Sequence, residues 1–264
     1  MTRGWALAAC AAVGAAHAAP PPPPAAILCV TAGTVRVSGN AQKARAAGRW
    51  EWLRPGARLD VAADGRAVLA FADGRRQELT PGTRARLGRE GAVAERGAVR
   101  ALPPLPALAE LLALADGGPP DARAAAVRVR APRITGLWPG ADAITLAAAT
   151  TLTFDPVPAA PRYSVEVADE AGAPVFERVT ETPRLDVPAD VLRPGAHYTW
   201  KVRTVDRLGP AAEGRASFRT LPAASVAARE RLRAQTANDP VAPALLAAVD
   251  QRLGLAETVS VQRR

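Results

Sequence analysis

Residues 55–82 read PGARLDVAADGRAVLAFADGRRQELTPG. Turn dipeptides begin at Pro55, Asp64, Asp73 and Pro81, at steps of nine, nine and eight residues. The runs between them have β character. Leu59 and Val61 alternate with Arg58 and Asp60, Val68 to Phe71 is apolar throughout as a strand buried on both faces is, and Gln77 and Leu79 follow. Asp-Gly pairs supply the positive φ angles of tight hairpin turns, and Pro-Gly suits other tight turns. A glycine or proline at each step argues against helix. Short strands at even spacing predict an all-β meander, sandwich or small barrel whose ruled turns are hairpins.

Working outward, the order continues on both sides. Gly33-Thr34-Val35-Arg36-Val37 and Gly48 come first, then Leu53-x-x-Gly56-x-x-Leu59, Ala67-Val68-Leu69-x-Phe71-x-Asp73-Gly74 and Leu79-x-Pro81-Gly82-Thr83. Over 60–70 residues, within 27–100, this resembles the FecR domain, a small periplasmic β module. The resemblance implies a sensing or binding β-domain. The family's namesake is a membrane-spanning regulator, and this sequence shows no counterpart of its cytoplasmic segment or internal membrane helix. What carries over is therefore the β-domain and not the signalling circuit.

The same block carries the candidate binding surface. Trp50 and Trp52 flank Glu51, and a period of two puts both indoles on one strand face. They are either core or an exposed aromatic platform for a sugar or peptide. Residues 27–100 hold 14 Arg/Lys and 7 Asp/Glu, whereas residues 134–221 hold 9 and 11. An anionic partner therefore meets the first block, with Arg75 and Arg76 joining Trp50 and Trp52 as its candidate binding residues. The whole chain has a net charge of +9 from 34 basic and 25 acidic residues, and 32 of the 34 are arginine. So lopsided a ratio, with so much Ala, Gly and Pro, also reads as coding bias rather than selection for anions.

The N-terminus, MTRGWALAACAAVGAAHAAP, has Arg3, an apolar run from Trp5 to Ala16, and Ala16-His17-Ala18 as a cleavage signature. It reads as a signal peptide over 1–18, so the protein is expected to be periplasmic or secreted. Leu7-Ala8-Ala9-Cys10 is a second reading, a lipobox that would lipidate Cys10. Cleavage after Ala18 leaves Cys29, in the apolar run ILCV, as the one cysteine, so no internal disulfide can form. Pro20–Pro24, within a spacer over 19–26, forms a stiff polyproline II segment. No apolar run beyond the N-terminus approaches the roughly 20 residues of a membrane helix.

Residues 101–133 read as a Pro-rich linker in which Leu105, Leu108, Leu111 and Leu112 give a short helix. Residues 134–221 form a second β block. In Leu192-Arg193-Pro194-Gly195-Ala196-His197-Tyr198, a leucine precedes a tyrosine by six residues across a Pro-Gly turn. That is the sequence form of a tyrosine corner, made by Leu192, Pro194, Gly195 and Tyr198. Tyr198, Trp200 and Val202 then share one face, and Tyr163, Val165 and Val167 alternate with polar residues. The block resembles a fibronectin type III domain, with Phe154 where that family usually has Trp. The resemblance implies a spacer or protein-docking module and no chemistry. Residues 222–264 read as a helical tail, with Asn238-Asp239-Pro240 as a helix start and Leu245, Leu246, Val249 and Leu253 as an apolar stripe. That stripe must be buried on the chain's own β domains or on a partner.

The fold expected is mainly β, two sandwiches and a short helical tail. No catalytic, cofactor or metal constellation is legible. Serine is limited to Ser38, Ser164, Ser217, Ser225 and Ser260, none in a nucleophile elbow, and His197 is the one histidine left after cleavage. A metal site needs more than that lone histidine. The expected function is a non-catalytic envelope protein with an unidentified envelope protein as partner. The alternative is a binder of an anionic polymer such as peptidoglycan, lipopolysaccharide or exopolysaccharide. Export argues against nucleic acid.

Overall fold

A computed structural model describes residues 26–39, 43–116, 133–140, 143–158, 160, 162–205 and 211–255. Residues 1–25, on which the expected signal peptide, Cys10 and Pro20–Pro24 fall, residues 117–132 and the last nine residues lie outside them. The fold is mainly β, with two β-sandwiches and a layer of short helices.

The first sandwich has ten strands: β1 (Ala26–Ala32), β2 (Val35–Ser38), β3 (Arg45–Ala46), β4 (Trp50–Leu53), β5 (Arg58–Val61), β6 (Arg66–Phe71), β7 (Arg76–Leu79), β8 (Arg84–Leu87), β9 (Ala92–Arg96) and β10 (Val99–Leu102). They form two antiparallel sheets, in the orders β10-β7-β6-β1-β4 and β3-β2-β5-β8-β9. Leu28, Val37, Leu59, Leu69, Phe71, Leu79 and Leu87 fill the space between them. The alternation legible in the sequence is the alternation of burial. In β5, Leu59 and Val61 are buried while Arg58 points out.

The evenly spaced turns differ from expectation. Only the Asp73-Gly74 turn joins neighbouring strands, β6 and β7, as a hairpin. The turns at Pro55, Asp64 and Pro81 carry the chain from one sheet to the other. A turn dipeptide dictates only a local reversal. Which sheet receives the next strand is decided by distant partners, since β5 pairs with β2 and β8, and β6 pairs with β1 and β7. The two Asp-Gly turns also use glycine differently. Gly74 has φ +81°, whereas a Cβ on Gly65 would stand 2.6 Å from the Thr34 carbonyl oxygen, so Gly65 serves close backbone approach.

β6 is buried on both faces, as its unbroken apolar run predicts. Ala67, Leu69 and Phe71 enter the sandwich core. Val68 and Ala70, with Ile27 and Cys29 of β1, face a layer of three helices. These are α1 (Pro106–Asp116), α2 (Ala223–Gln235) and α3 (Ala242–Arg252). Leu108 and Leu111 of α1, Leu232 of α2 and Leu245 and Val249 of α3 are fully buried against that sheet and each other. The apolar stripe of the tail is thus covered within the chain. α3 begins later than Asn238-Asp239-Pro240 suggests. Val241 is its N-cap residue and Pro243 lies in its first turn. Asp239 instead accepts the Val241 backbone N–H at 3.0 Å and holds Arg76.

The second sandwich comprises β11 (Ala143–Thr145), β12 (Thr151–Thr153), β13 (Arg162–Ala168), β14 (Pro174–Thr180), β15 (Arg184–Asp186), β16 (His197–Val205) and β17 (Glu213–Thr220). Its larger sheet runs β11-β17-β16-β13-β14, with β11 parallel to β17, and β12 pairs with β15 across from it. Trp200, Val202, Val165, Leu152 and Phe218 make its core. The Trp200 indole N–H donates to the Pro139 carbonyl at 2.9 Å, which satisfies the polar edge of a fully buried ring. Phe154 meets Tyr163 edge to face at 4.8 Å, so the smaller aromatic still packs. The two units touch where Leu221, Ile144 and Leu146 of the second pack into the helix-layer core and Ile144 bridges Leu255 just beyond α3.

Candidate functional site

Trp50 and Trp52 do share one strand face, opposite Cys29 and Ile27 of β1. That face is the one under the helices. Both indoles are half-buried and pack against the helix-layer core, so they do not form an open aromatic platform. The physical reason is area: two indoles on an edge strand are the largest apolar surface beside the helix layer, and α3 covers that edge. Glu51 between them points the other way and holds Arg45 at 2.6 Å, closing the edge between the two sheets.

Arg75 and Arg76 are adjacent and diverge. Arg75 is exposed, ion-paired to Asp73 at 2.5 Å, bonded to the Glu90 carbonyl at 2.7 Å and placed over the Phe71 ring at 5.7 Å. Burial pushes the Asp73 carboxyl up, but the Arg75 backbone N–H and guanidinium outweigh it and hold the group below its ordinary value. Arg76 is buried, with its side chain 8% exposed. It donates to the Pro103 carbonyl at 2.8 Å and to Asp239, tying β7 to the loop before α3. Of the four residues proposed as one surface, Arg75 alone is open to a partner.

A cleft of about 410 Å³ lies beside Arg76, between the helix loop and the sheet. Its charges are already matched: Arg66 faces Glu78 at 3.3 Å and Arg76 faces Asp239. Cys29 lies beneath the same helix layer. Burial, and secondarily the Asp239 charge, push its thiol up from 9.0 to about 12, so it is an inert packing residue at neutral pH. Among the described residues no three His, Cys, Asp or Glu side chains converge as metal ligands, and His197 is half-buried at the start of β16. No described helix is long and apolar enough to cross a membrane.

The tyrosine corner is present in the geometry. The Tyr198 hydroxyl accepts the Arg193 backbone N–H at 2.7 Å, Leu192 is buried, and Gly195 has φ +77°. Thr220 reinforces it by donating to the Arg193 carbonyl at 2.6 Å. Sequence reading missed the second tyrosine: the Tyr163 hydroxyl accepts the Val157 N–H at 2.9 Å and pins another crossing. The six-residue step from Val157 to Tyr163 was the available signal.

Sequence reading also missed the open face of the sheet β3-β2-β5-β8-β9, which lies away from the helices. Its charged residues are Arg36, Arg58, Asp60, Arg84, Arg86 and Arg96, with Glu95 at the bulge of β9, all but Asp60 exposed. Arg84 bonds Asp60 at 2.8 Å, and Asp60, with Glu95 further off, raises the Arg84 pKa.

No family model matches the chain, and no curated protein matches it. Three solved structures show partial likeness. CopC from Methylosinus trichosporium OB3b is 23% identical over 34% of this chain and 94% of its own, at TM-score 0.28. The fn3 domain of human collagen alpha-1(XX) is 16% identical over 38% of this chain and 91% of its own, at TM-score 0.28. The FN1–FN3 domains of chicken CNTN1 are 9% identical over 77% of this chain and 68% of their own, at TM-score 0.24. Likeness this weak carries no functional argument. The second unit is fibronectin-like by its own strand order and tyrosine corner.

Proposed function

We propose that this is a non-catalytic exported protein of the cell envelope. Its first sandwich, similar to the FecR domain in the residues quoted above, binds or senses, and its fibronectin-like sandwich spaces or docks. One observation carries this reading. Helices from the linker and the tail are spent on sealing one face of the first sandwich, which leaves the opposite sheet face as the surface this unit offers. Two sandwiches with separate cores, joined at one end, suit presentation of that surface rather than turnover of a substrate. Export rests on the signal-like N-terminus.

Cross-linking the intact envelope of the native host, with recovery of the chain and sequencing of its N-terminus, tests this. The expected result is an N-terminus at Ala19, or at Cys10 if lipidated, and a dominant envelope adduct. Recovery from the cytosol with Met1 intact overturns it.

A further inference from the structure

The open face of the first sandwich is ordered by its register. One row across the strands runs Ala46, Arg36, Asp60, Arg84 and Arg96. The next runs Ser38, Arg58, Arg86 and Val93. Arg58 thus stands directly opposite Arg86, and Arg84 opposite Arg96. Like charges directly opposite across a strand pair destabilise a sheet. Asp60 neutralises Arg84, and Glu95 lies near it. Arg96 reaches only the Gly82 carbonyl, at 3.4 Å. Among the described residues Arg36, Arg58 and Arg86 have no ion-pair partner. This differs from the cleft beside Arg76, where every charge is matched within the fold.

We infer that this arginine face is a binding surface for an extended, carboxylate-bearing polysaccharide. The inference rests on the exported reading above and names the ligand class of that unit. Four features select this occupant. The guanidinium groups are spread over strands about 4.8 Å apart and over two rows roughly 6.6 Å apart rather than converging on one point, which fits a polymer with repeated charges better than a single phosphate. The Arg84–Asp60 pair shows how the face receives a carboxylate, at 2.8 Å. The face has no aromatic residue on which a base could stack. Its one large apolar residue is Val93, too little to enter a lipid interface. Bound carboxylates would also relieve the Arg58–Arg86 repulsion that the free fold carries.

The test uses the full chain purified from an exporting host, with polygalacturonate as probe, neutral dextran as control and phosphatidylglycerol vesicles as competitor. Two triple variants remove equal charge: R36Q/R58Q/R86Q on the face, and R178Q/R203Q/R215Q on the second sandwich. The expected result is polygalacturonate binding that weakens roughly tenfold between about 50 and about 200 mM NaCl, as screening requires. The face triple should lose about tenfold or more in affinity, the control triple less than about twofold, and dextran should not bind. The Tm of the face triple should match or exceed that of the parent, since repulsion is relieved, so lost binding cannot come from unfolding. Equal losses in both triples, no binding at low salt, or tighter binding to vesicles with the same arginine dependence overturns the inference. None of these results depends on where the host places the protein, so the exported reading is judged separately by the N-terminal sequence.

Discussion

Asp250→Ala tests whether the helix layer is held by a buried clamp. Arg229 of α2 donates from Nε and Nη2 to both carboxylate oxygens of Asp250 on α3, each at 2.7 Å. The two side chains are 10% and 6% exposed, so both charges have left water. Removing one partner of a buried pair costs about 3–5 kcal/mol, because the other is left uncompensated. Glu230, half-exposed and 3.5 Å from the Arg229 Nη1, takes up part of that charge and sets the low end, about 3 kcal/mol. At about 2–4 °C per kcal/mol, the Tm should fall by roughly 6–12 °C. Cys29 lies under the helices and reports their opening, so its labelling by a disulfide reagent at pH 8 should accelerate in the same variant. The double variant R229M/D250L should recover to within about 1 kcal/mol of the parent, because apolar packing can replace a buried pair. A Tm drop under about 3 °C, with Cys29 as slow to react as in the parent, would refute the clamp.

Tyr198→Phe leaves the Arg193 N–H without its acceptor, and chemical denaturation of the second sandwich should show a loss of about 1–3 kcal/mol. Gly74→Ala should cost at least about 2 kcal/mol by thermal unfolding, since φ is +81° and the new Cβ would meet the Leu105 carbonyl at 2.5 Å, where α1 begins. In the parent, the Cys29 thiol should resist labelling at pH 8 until the protein is unfolded. Its folded pKa of about 12 lies above the ordinary 9.0, so its contribution to stability is complete below pH 9.0 and should be lost as pH rises toward about 12. Comparing alkaline unfolding of Cys29→Ala with the parent measures that loss.

Much of the fold was legible because it rests on local chemistry. Strands, the burial of β6 on both faces, the tyrosine corner and the helical spacing in α1 are properties of short windows, set by side-chain alternation and turn residues. The candidate site was less legible. Trp50 and Trp52 were correctly placed on one face, but whether that face is wet depends on helices more than 170 residues further along. Arg75 and Arg76 look equivalent in sequence, and strand alternation sends one to solvent and the other to Asp239, 163 residues away.

By itself the sequence determined the class of the protein, two β units with a linker helix and a helical tail. Periodicity, turn chemistry and composition act within a few residues, so no partner need be known. Only the tertiary structure decided which turns cross between sheets, what the tail helices cover, and which arginines remain without counter-charges. Each of these is a choice of distant partner, made when strands and helices bury their apolar faces together. The open arginine face is the remainder of that choice: once α1, α2 and α3 take one side of the first sandwich, the charged rows of β2, β5, β8 and β9 are what it presents.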